Sequence, residues 1–307
     1  MTLAPALTDM ILDNNPIRAH DSLQRFLFEN AAIRGQIVHL DATWRAVLER
    51  RRYPATLRAV LGECMVAAAL LSATTKFTGR LVMQIQGRGP IQLLIVECTS
   101  DHTMRAMAKW TGNVPSGPLA TTIGDGQLAI TLEPYEGSER YQGIVRLVGN
   151  SIAEALENYF AHSEQLETRI WATADGYQAG GMLIQRLPTT DWVDPDDWPR
   201  AVHLSNTITR KELLTLPARD IIRRLYHEED IWIFDSIPFG FRCSCSRNRV
   251  TDVLRVLGQV EIDTIIADEG RISVNCEFCN HHYEFDRVDA KQMFVTGALA
   301  GTSVRVH

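Results

Sequence analysis

Hydrophobic and polar positions change period along the chain, and the changes divide it into three parts. Thr43 to Arg51 carries its apolar residues at helical spacing. Pro54 then stands where the first turn of a new helix tolerates proline, because N–H groups there have no intrahelical acceptor. Ala55 to Ala73 continues as an Ala/Leu-rich helix that ends near Gly79. From there the period drops to two: Leu81, Met83 and Ile85 alternate with Arg80, Val82, Gln84 and Gln86, the pattern of a half-buried strand. The turn Gly87-Arg88-Gly89-Pro90 leads into a second strand, Ile91 to Glu97, so the pair reads as a hairpin. Further strands are expected at Gln127 to Glu133, Tyr141 to Val148, Thr168 to Thr173 and Met182 to Leu187. Ser151 to Ser163 reads as a helix with a capping box, Ser151 at the N-cap and Glu154 three residues on. Strands in adjacent runs, with helices set apart from them, argue an α+β body of antiparallel sheets and helices spanning residues 21–187. Residues 1–20 show no period and read as a loose arm.

Residues 188–199 interrupt this order with Asp191, Asp194, Asp196 and Asp197, three prolines and two tryptophans, an irregular connector. A helical stretch follows from about Asn206 to Glu229, broken at Pro217. Leu214, Ala218, Ile221, Ile222 and Leu225 share one face, with Arg219, Arg223 and Arg224 on others. Two short helices are marginal alone, so this stripe needs a surface to cover. Residues 188–230 therefore read as a linker with a docking face. The third part, 231–301, holds expected helices at Ser246 to Leu257 and Glu261 to Ala267, and short strands at Ile272 to Val274 and Tyr283 to Phe285.

That last part also holds four of the six cysteines, as FRCSCSRN and NCEFCNHHY. Cys243 and Cys245 form a Cys-x-Cys pair, and Cys276 and Cys279 a Cys-x-x-Cys pair, with thirty residues between. Two tight pairs aim four sulfurs at one point, which is what a closed tetrahedral Zn²⁺ site requires, one ion per chain. A C-terminal part with so few apolar residues is poorly stabilised by burial alone. A structural zinc supplies about 10–16 kcal/mol of apparent binding energy in model peptides. Zinc also keeps thiolates deprotonated, and thiolates are the form that oxidants attack. Each sulfur has a neighbour able to trap a sulfenic acid as a disulfide. On the residues alone, a plain staple and a redox switch both stand. Cys64 and Cys98 lie alone in apolar surroundings and read as small buried hydrophobes.

Charge narrows the partners. The chain carries a net charge of −6, and 233–307 holds eight Lys/Arg against ten Asp/Glu, so a zinc-ribbon nucleic-acid binder is disfavoured. The apolar run around Met65 to Leu71 is short of a membrane span, and the N-terminus lacks the basic stretch of a signal peptide, which implies a cytoplasmic protein without a membrane partner. His281 and His282 adjoin the second pair, but four sulfurs already complete a tetrahedron. The Gly87 to Pro90 turn joins two strands and lacks the helix N-terminus of a phosphate loop. The aspartates of the connector read as a solvated loop, and no catalytic triad or carboxylate pair is legible, so no enzyme is expected. A thiol-disulfide oxidoreductase would need one exposed, acidic thiol in a thioredoxin-like βαβ context.

The motif and the stretches around it resemble a known family. RFLFENAAIRG (Arg25 to Gly35), QIQGRGPIQLL (Gln84 to Leu94), ERYQGIV (Glu139 to Val145), YFAHSEQLETRI (Tyr159 to Ile170), AGGMLIQ (Ala179 to Gln185) and LLTLPARDIIRRLYHEED (Leu213 to Asp230) accompany the four cysteines. Together they are similar to the bacterial thirty-three-kilodalton redox-regulated chaperones, also called chaperonins, over about residues 22–300. One departure is Ala106 in MRAMA, where the family pattern places glycine in an expected turn. The resemblance implies zinc on Cys243, Cys245, Cys276 and Cys279, and an ATP-independent holdase that is inactive while reduced and zinc-bound. It implies activation by Cys243–Cys245 and Cys276–Cys279 disulfides, unfolding of linker and zinc domain, binding of unfolded client proteins, and a homodimer when oxidised. With the helical pattern, it makes Leu214, Ile221, Ile222 and Leu225 candidates for client binding.

Overall fold

The computed structural model describes residues 21–299 apart from 75–76, 137–138 and 190–193, and the side chains as far as Phe294. The N-terminal arm, Asp191 and the last residues assigned to the zinc domain, 300–301, lie outside the described residues.

The body begins with β1 (Ser22–Phe28) and β2 (Ile33–Leu40), then α1 (Ala42–Arg50) and α2 (Ala55–Thr74). The expected hairpin is β3 (Gly79–Gly87) and β4 (Ile91–Thr99), extended by β5 (Thr103–Trp110). A short α3 (Leu119–Thr122) precedes β6 (Gly126–Pro134) and β7 (Tyr141–Arg146). After α4 (Ile152–Tyr159) and a π-helical turn, Phe160–Glu164, come β8 (Thr168–Ala174) and β9 (Ala179–Arg186). The linker carries α5 (Asp197–Ser205), α6 (Arg210–Thr215) and α7 (Ala218–Leu225). The remainder is β10 (Ile231–Ile233), β11 (Ile237–Pro238), β12 (Gly240–Phe241), α8 (Arg247–Leu257), α9 (Gln259–Glu269), β13 (Ile272–Asn275), β14 (His282–Phe285) and α10 (Arg287–Leu299).

Two six-stranded sheets make the body. The first runs β10-β1-β2-β9-β8 with β11 also on β1, and the second runs β12-β5-β4-β3-β6-β7. All pairings are antiparallel except β12 on β5. α2 is apolar nearly all round, the signature of a helix buried on every side. Its Leu57, Leu61, Met65 and Leu70 are fully buried in a core shared with both sheets. The run expected to fall short of a membrane span thus sits in a 20-residue helix that would suffice by length and composition. Its place is the body's core.

β1, β2 and β5 are not distinguished in the hydrophobic pattern, and for the first sheet the reason is visible. α2 covers one face and the linker helices cover the other, so β2 and β9 are buried almost throughout and lose the two-residue alternation. The expected turn at Met104 to Ala108 is straight strand within β5, with Ala106 buried. Of the capping box expected at Ser151, only half forms. The Ser151 hydroxyl accepts from the Glu154 N–H at 3.2 Å, while the Glu154 carboxylate accepts from the Asn150 N–H at 2.7 Å. A complete box stands at Thr209 and Glu212, opening α6.

The linker helices lie on the outer face of the first sheet. Leu213, Ile221, Ile222, Leu225 and Tyr226 pack with Phe26, Phe28, Ile33, Ile37, Met182 and Ile184 in one buried layer. Close approach is built in: a Cβ on Gly180 of β9 would sit 2.3 Å from the Leu213 carbonyl oxygen. Likewise Phe26 lies across its cross-strand partner Gly35, where a Cβ would meet the ring at 2.0 Å. Residues 231–241, grouped with the C-terminal domain on the sequence pattern, add β10 and β11 to one sheet and β12 to the other. Beyond them α8, α9, α10 and the β13–β14 hairpin enclose a small separate core of Leu254, Ile262, Ile266, Ile272, Tyr283 and Phe285.

Candidate metal centre

Cys243 and Cys245 occupy the short segment between β12 and α8, whose N-cap Ser246 accepts from the Arg249 N–H at 3.3 Å. Cys276 and Cys279 sit in the turn joining β13 to β14. Two backbone bonds close that turn: the Cys276 N–H donates to the His281 carbonyl (2.9 Å) and the Asn280 N–H to the Cys276 carbonyl (2.8 Å). Asn280 takes a left-handed conformation, φ 58°, which asparagine adopts more readily than most side chains.

The four sulfurs lie within 4.8 Å of one another, and none is in a disulfide. Two contacts run across the pairs, Cys243 to Cys276 at 3.7 Å and Cys245 to Cys279 at 3.3 Å. A tetrahedron with Zn–S bonds of about 2.3 Å has S···S edges of about 3.8 Å. The two cross-pair contacts fall at or just under that value and all four sulfurs lie within 4.8 Å, so the donor set and its size fit one Zn²⁺.

The electrostatics agree. Burial raises the Cys243 thiol, but the Cys245 backbone N–H, the Arg105 guanidinium and neighbouring sulfurs outweigh it and bring it down to about 7. Burial and the adjacent sulfurs push Cys279 up, and burial above all raises Cys276. Four thiols this close ionise together only when a cation shares the space.

Outer contacts orient the donors. The Tyr283 hydroxyl donates to Cys245 Sγ at 3.1 Å, and Arg105 Nη1 donates to Cys243 Sγ at 3.7 Å. Arg105 is itself held by the Glu97 carboxylate through Nε (2.9 Å) and Nη2 (2.8 Å). His281 packs its ring on Tyr283, and His282 pairs with Asn275 and Glu284. Neither joins the sulfur cluster. Cys64 and Cys98 are buried in the body core, where burial raises Cys64 well above the usual thiol range and Cys98 to about 12. Both are inert in that state.

Of the candidate client-binding residues, the structure brings Ile221, Ile222 and Leu225 together in the buried linker layer. Leu214 is half-buried and outside that layer, and its neighbour Leu213 takes the place the pattern gave it. A break at Pro217 rephases the stripe between α6 and α7, which a continuous helical count cannot register. Nothing local in the sequence marks Arg105 or Glu97; Arg105 lies 138 positions from the sulfur it touches. Tyr283 was closer to hand, four residues after Cys279 and on the inward face of β14.

A family model described as Hsp33 protein matches residues 21–286. The chain is 48% identical over 287 residues to a 33 kDa chaperonin of Nitrosococcus oceani, covering 94% of this chain and 99% of the relative. It is 47% identical over 288 residues to one of Methylobacillus flagellatus, covering 93% and 98%. The crystal structure of a 33 kDa chaperonin from Thermotoga maritima superposes with a TM-score of 0.78 at 22% identity, covering 91% of this chain and 99% of the other. At that identity the likeness concerns the fold.

Proposed function

The chain belongs to the Hsp33 family, the 33 kDa chaperonins, and from that membership we propose that it is an ATP-independent holdase switched by oxidation of its four clustered cysteines. What supports the switch above all is the placing of four free thiols within 4.8 Å of one another in a small domain whose own core is slight. In the reduced state Cys243, Cys245, Cys276 and Cys279 hold one Zn²⁺, which keeps them as thiolates and supplies much of the folding energy of the domain. The division is a chaperone body of 21–187, a linker of 188–230 and a redox-sensing domain of 231–301, in which β10 to β12 remain part of the body's sheets.

Oxidation proceeds at sulfur. A thiolate attacks peroxide, breaking the O–O bond and leaving a sulfenic acid and hydroxide; the second thiolate of the pair then displaces hydroxide to close the disulfide. Each thiolate pair passes two electrons to one peroxide as its disulfide closes, and the peroxide with two protons leaves as two waters. Closure of Cys243–Cys245 and Cys276–Cys279 removes all four donors. The domain then loses its staple and the linker its support. The apolar layer carried by Ile221, Ile222 and Leu225, with the sheet face beneath it, becomes surface for unfolding proteins, and the active form pairs as a homodimer in the cytoplasm. Leu214 contributes at the margin. Binding of this kind needs no catalytic group, membrane or nucleic acid.

The test is zinc content and free-thiol count before and after peroxide with mild heating, read beside an aggregating client and the elution volume of the same sample. Loss of one zinc and four thiols together with new protection of the client and a shift to dimer is expected. Zinc release that leaves protection unchanged refutes the switch.

A further inference from the structure

The two residues between Cys276 and Cys279 do not face solvent idly; both reach the body. The Glu277 carboxylate lies between Arg51 Nη2 at 3.0 Å and Lys109 Nζ at 3.1 Å. The Phe278 ring sits under the Arg105 guanidinium, 4.0 Å from the ring centroid. The receiving groups all belong to the body. Arg51 follows α1 and anchors its Nη1 to the Ala108 carbonyl at 3.4 Å, while Arg105 and Lys109 stand on β5, paired with β4 on one side and beyond the reach of the two-residue β12 on the other. Arg105 cannot follow a departing ring, because the bidentate bond to Glu97 fixes it and its side chain is only 12% exposed.

We propose that Arg51, Arg105 and Lys109 form a docking subsite for an acidic–aromatic dipeptide, filled in the closed chain by its own Glu277-Phe278 and offered to such dipeptides in client chains once the domain leaves. The inference rests on the switch proposed above. Its occupant is argued from charge and shape. Among the described residues, Glu277 is the only carboxylate that pairs with Arg51 or Lys109. Withdrawing it leaves two cations without an anion, beside a guanidinium whose face is free and whose charge Glu97 already balances. A cation pair selects a carboxylate, and an open guanidinium face selects an aromatic ring. The turn that presents Glu277 and Phe278 is set by where Cys276 and Cys279 are held, so any change at those sulfurs withdraws both residues together while the receptor stays.

The experiment measures fluorescence anisotropy of a labelled Gly/Ser-rich peptide carrying one Glu-Phe step, titrated with full-length chain. Four proteins are compared: zinc-bound reduced, oxidised zinc-free, zinc-bound Glu277→Gln/Phe278→Ala, and oxidised Arg51→Gln/Lys109→Gln. Binding is expected to the oxidised chain and to the zinc-bound Glu277→Gln/Phe278→Ala variant, and at least about tenfold weaker to the unaltered zinc-bound chain, whose subsite is filled. Changing the peptide step to Gln-Phe or Glu-Ala should weaken binding about three- to tenfold, the scale of exposed ion pairs and cation–π contacts. Arg51→Gln/Lys109→Gln should remove the preference for Glu over Gln. An oxidised chain that protects clients yet binds all three peptides alike overturns the subsite and leaves the switch intact. An oxidised chain that protects no client overturns the switch; the zinc-bound Glu277→Gln/Phe278→Ala variant then decides the subsite alone, since failure to bind the Glu-Phe peptide there overturns it.

Discussion

Ile221→Ala weakens the docking of the linker without touching a sulfur. Ile221 is 1% exposed and lies in the layer that α7 shares with Phe26, Ile37, Met182 and Ile184. The substitution deletes three carbons, each contributing about 0.8 kcal/mol on burial, and leaves a cavity in a packed layer. Together these destabilise the docked state by about 2–5 kcal/mol. At about 1.4 kcal/mol per decade, even the low end moves the docked-to-released ratio about thirtyfold. Hydrogen exchange over residues 197–226, read with zinc content and client aggregation, separates the two halves of the switch. The amides of α6 and α7 should exchange faster and some client protection should appear in reducing buffer, with zinc and all four thiols retained. Leu214→Ala is the control, because Leu214 lies outside the layer and its truncation should cost less than about 1 kcal/mol. If the two variants behave alike, or Ile221→Ala leaves exchange at the parent rate, the linker is not held by this layer and the reasoning fails.

Two further outcomes follow from single side chains. His39 lies in β2 near the Leu213 and Leu216 carbonyls, and burial lowers its pKa to about 4 against the pull of those two oxygens. Both of its ring nitrogens are buried without a well-formed hydrogen bond. An unfolded chain takes up this proton near pH 6.5 and the folded one only near 4. The stability is therefore whole above pH 6.5 and falls by up to about 3 kcal/mol as pH drops toward 4. Urea midpoints between pH 7 and 4.5 should fall less steeply in His39→Gln, and identical slopes would dismiss the assignment. Tyr283→Phe deletes the hydroxyl that donates to Cys245 Sγ at 3.1 Å, and zinc affinity by chelator competition should drop at least about tenfold. An unchanged affinity would mean that the hydroxyl does not support the thiolate.

How far the sequence carried depended on whether a residue's role was local. The β3–β4 hairpin and the amphipathic α7 announce themselves because each buries one face and wets the other. The four cysteines are equally local, since a metal site needs its donors in tight pairs, and the structure does gather Cys243, Cys245, Cys276 and Cys279. β2 escapes the same treatment because helices cover it on both faces, so its polar Gln36 and His39 are buried with the rest and no exposed alternation marks the period. Leu214 falls on the stripe only if one helical phase runs across Pro217; the chain restarts there, and Leu213 takes the buried place. Arg105 could not be found at all: its role is created by the meeting of β5 with a segment far along the chain. Contacts of that kind belong to the fold rather than to any stretch of residues.

The pairing of β10 with β1 gives the linker an unusual standing. Residues 187–230 are flanked by β9 on one side and β10 on the other, and both strands belong to the same sheet. The linker is therefore a loop with both ends fastened, not a tail hinged at one end. While β10 keeps its three-residue pairing with β1, a released linker stays within reach of the face it left, and its return is a unimolecular event. Closing a loop of fixed ends adds little entropy as its length grows, and the local concentration of the docking face remains high. Under the switch proposed above, whatever binds that face competes with a tethered rival, the linker itself.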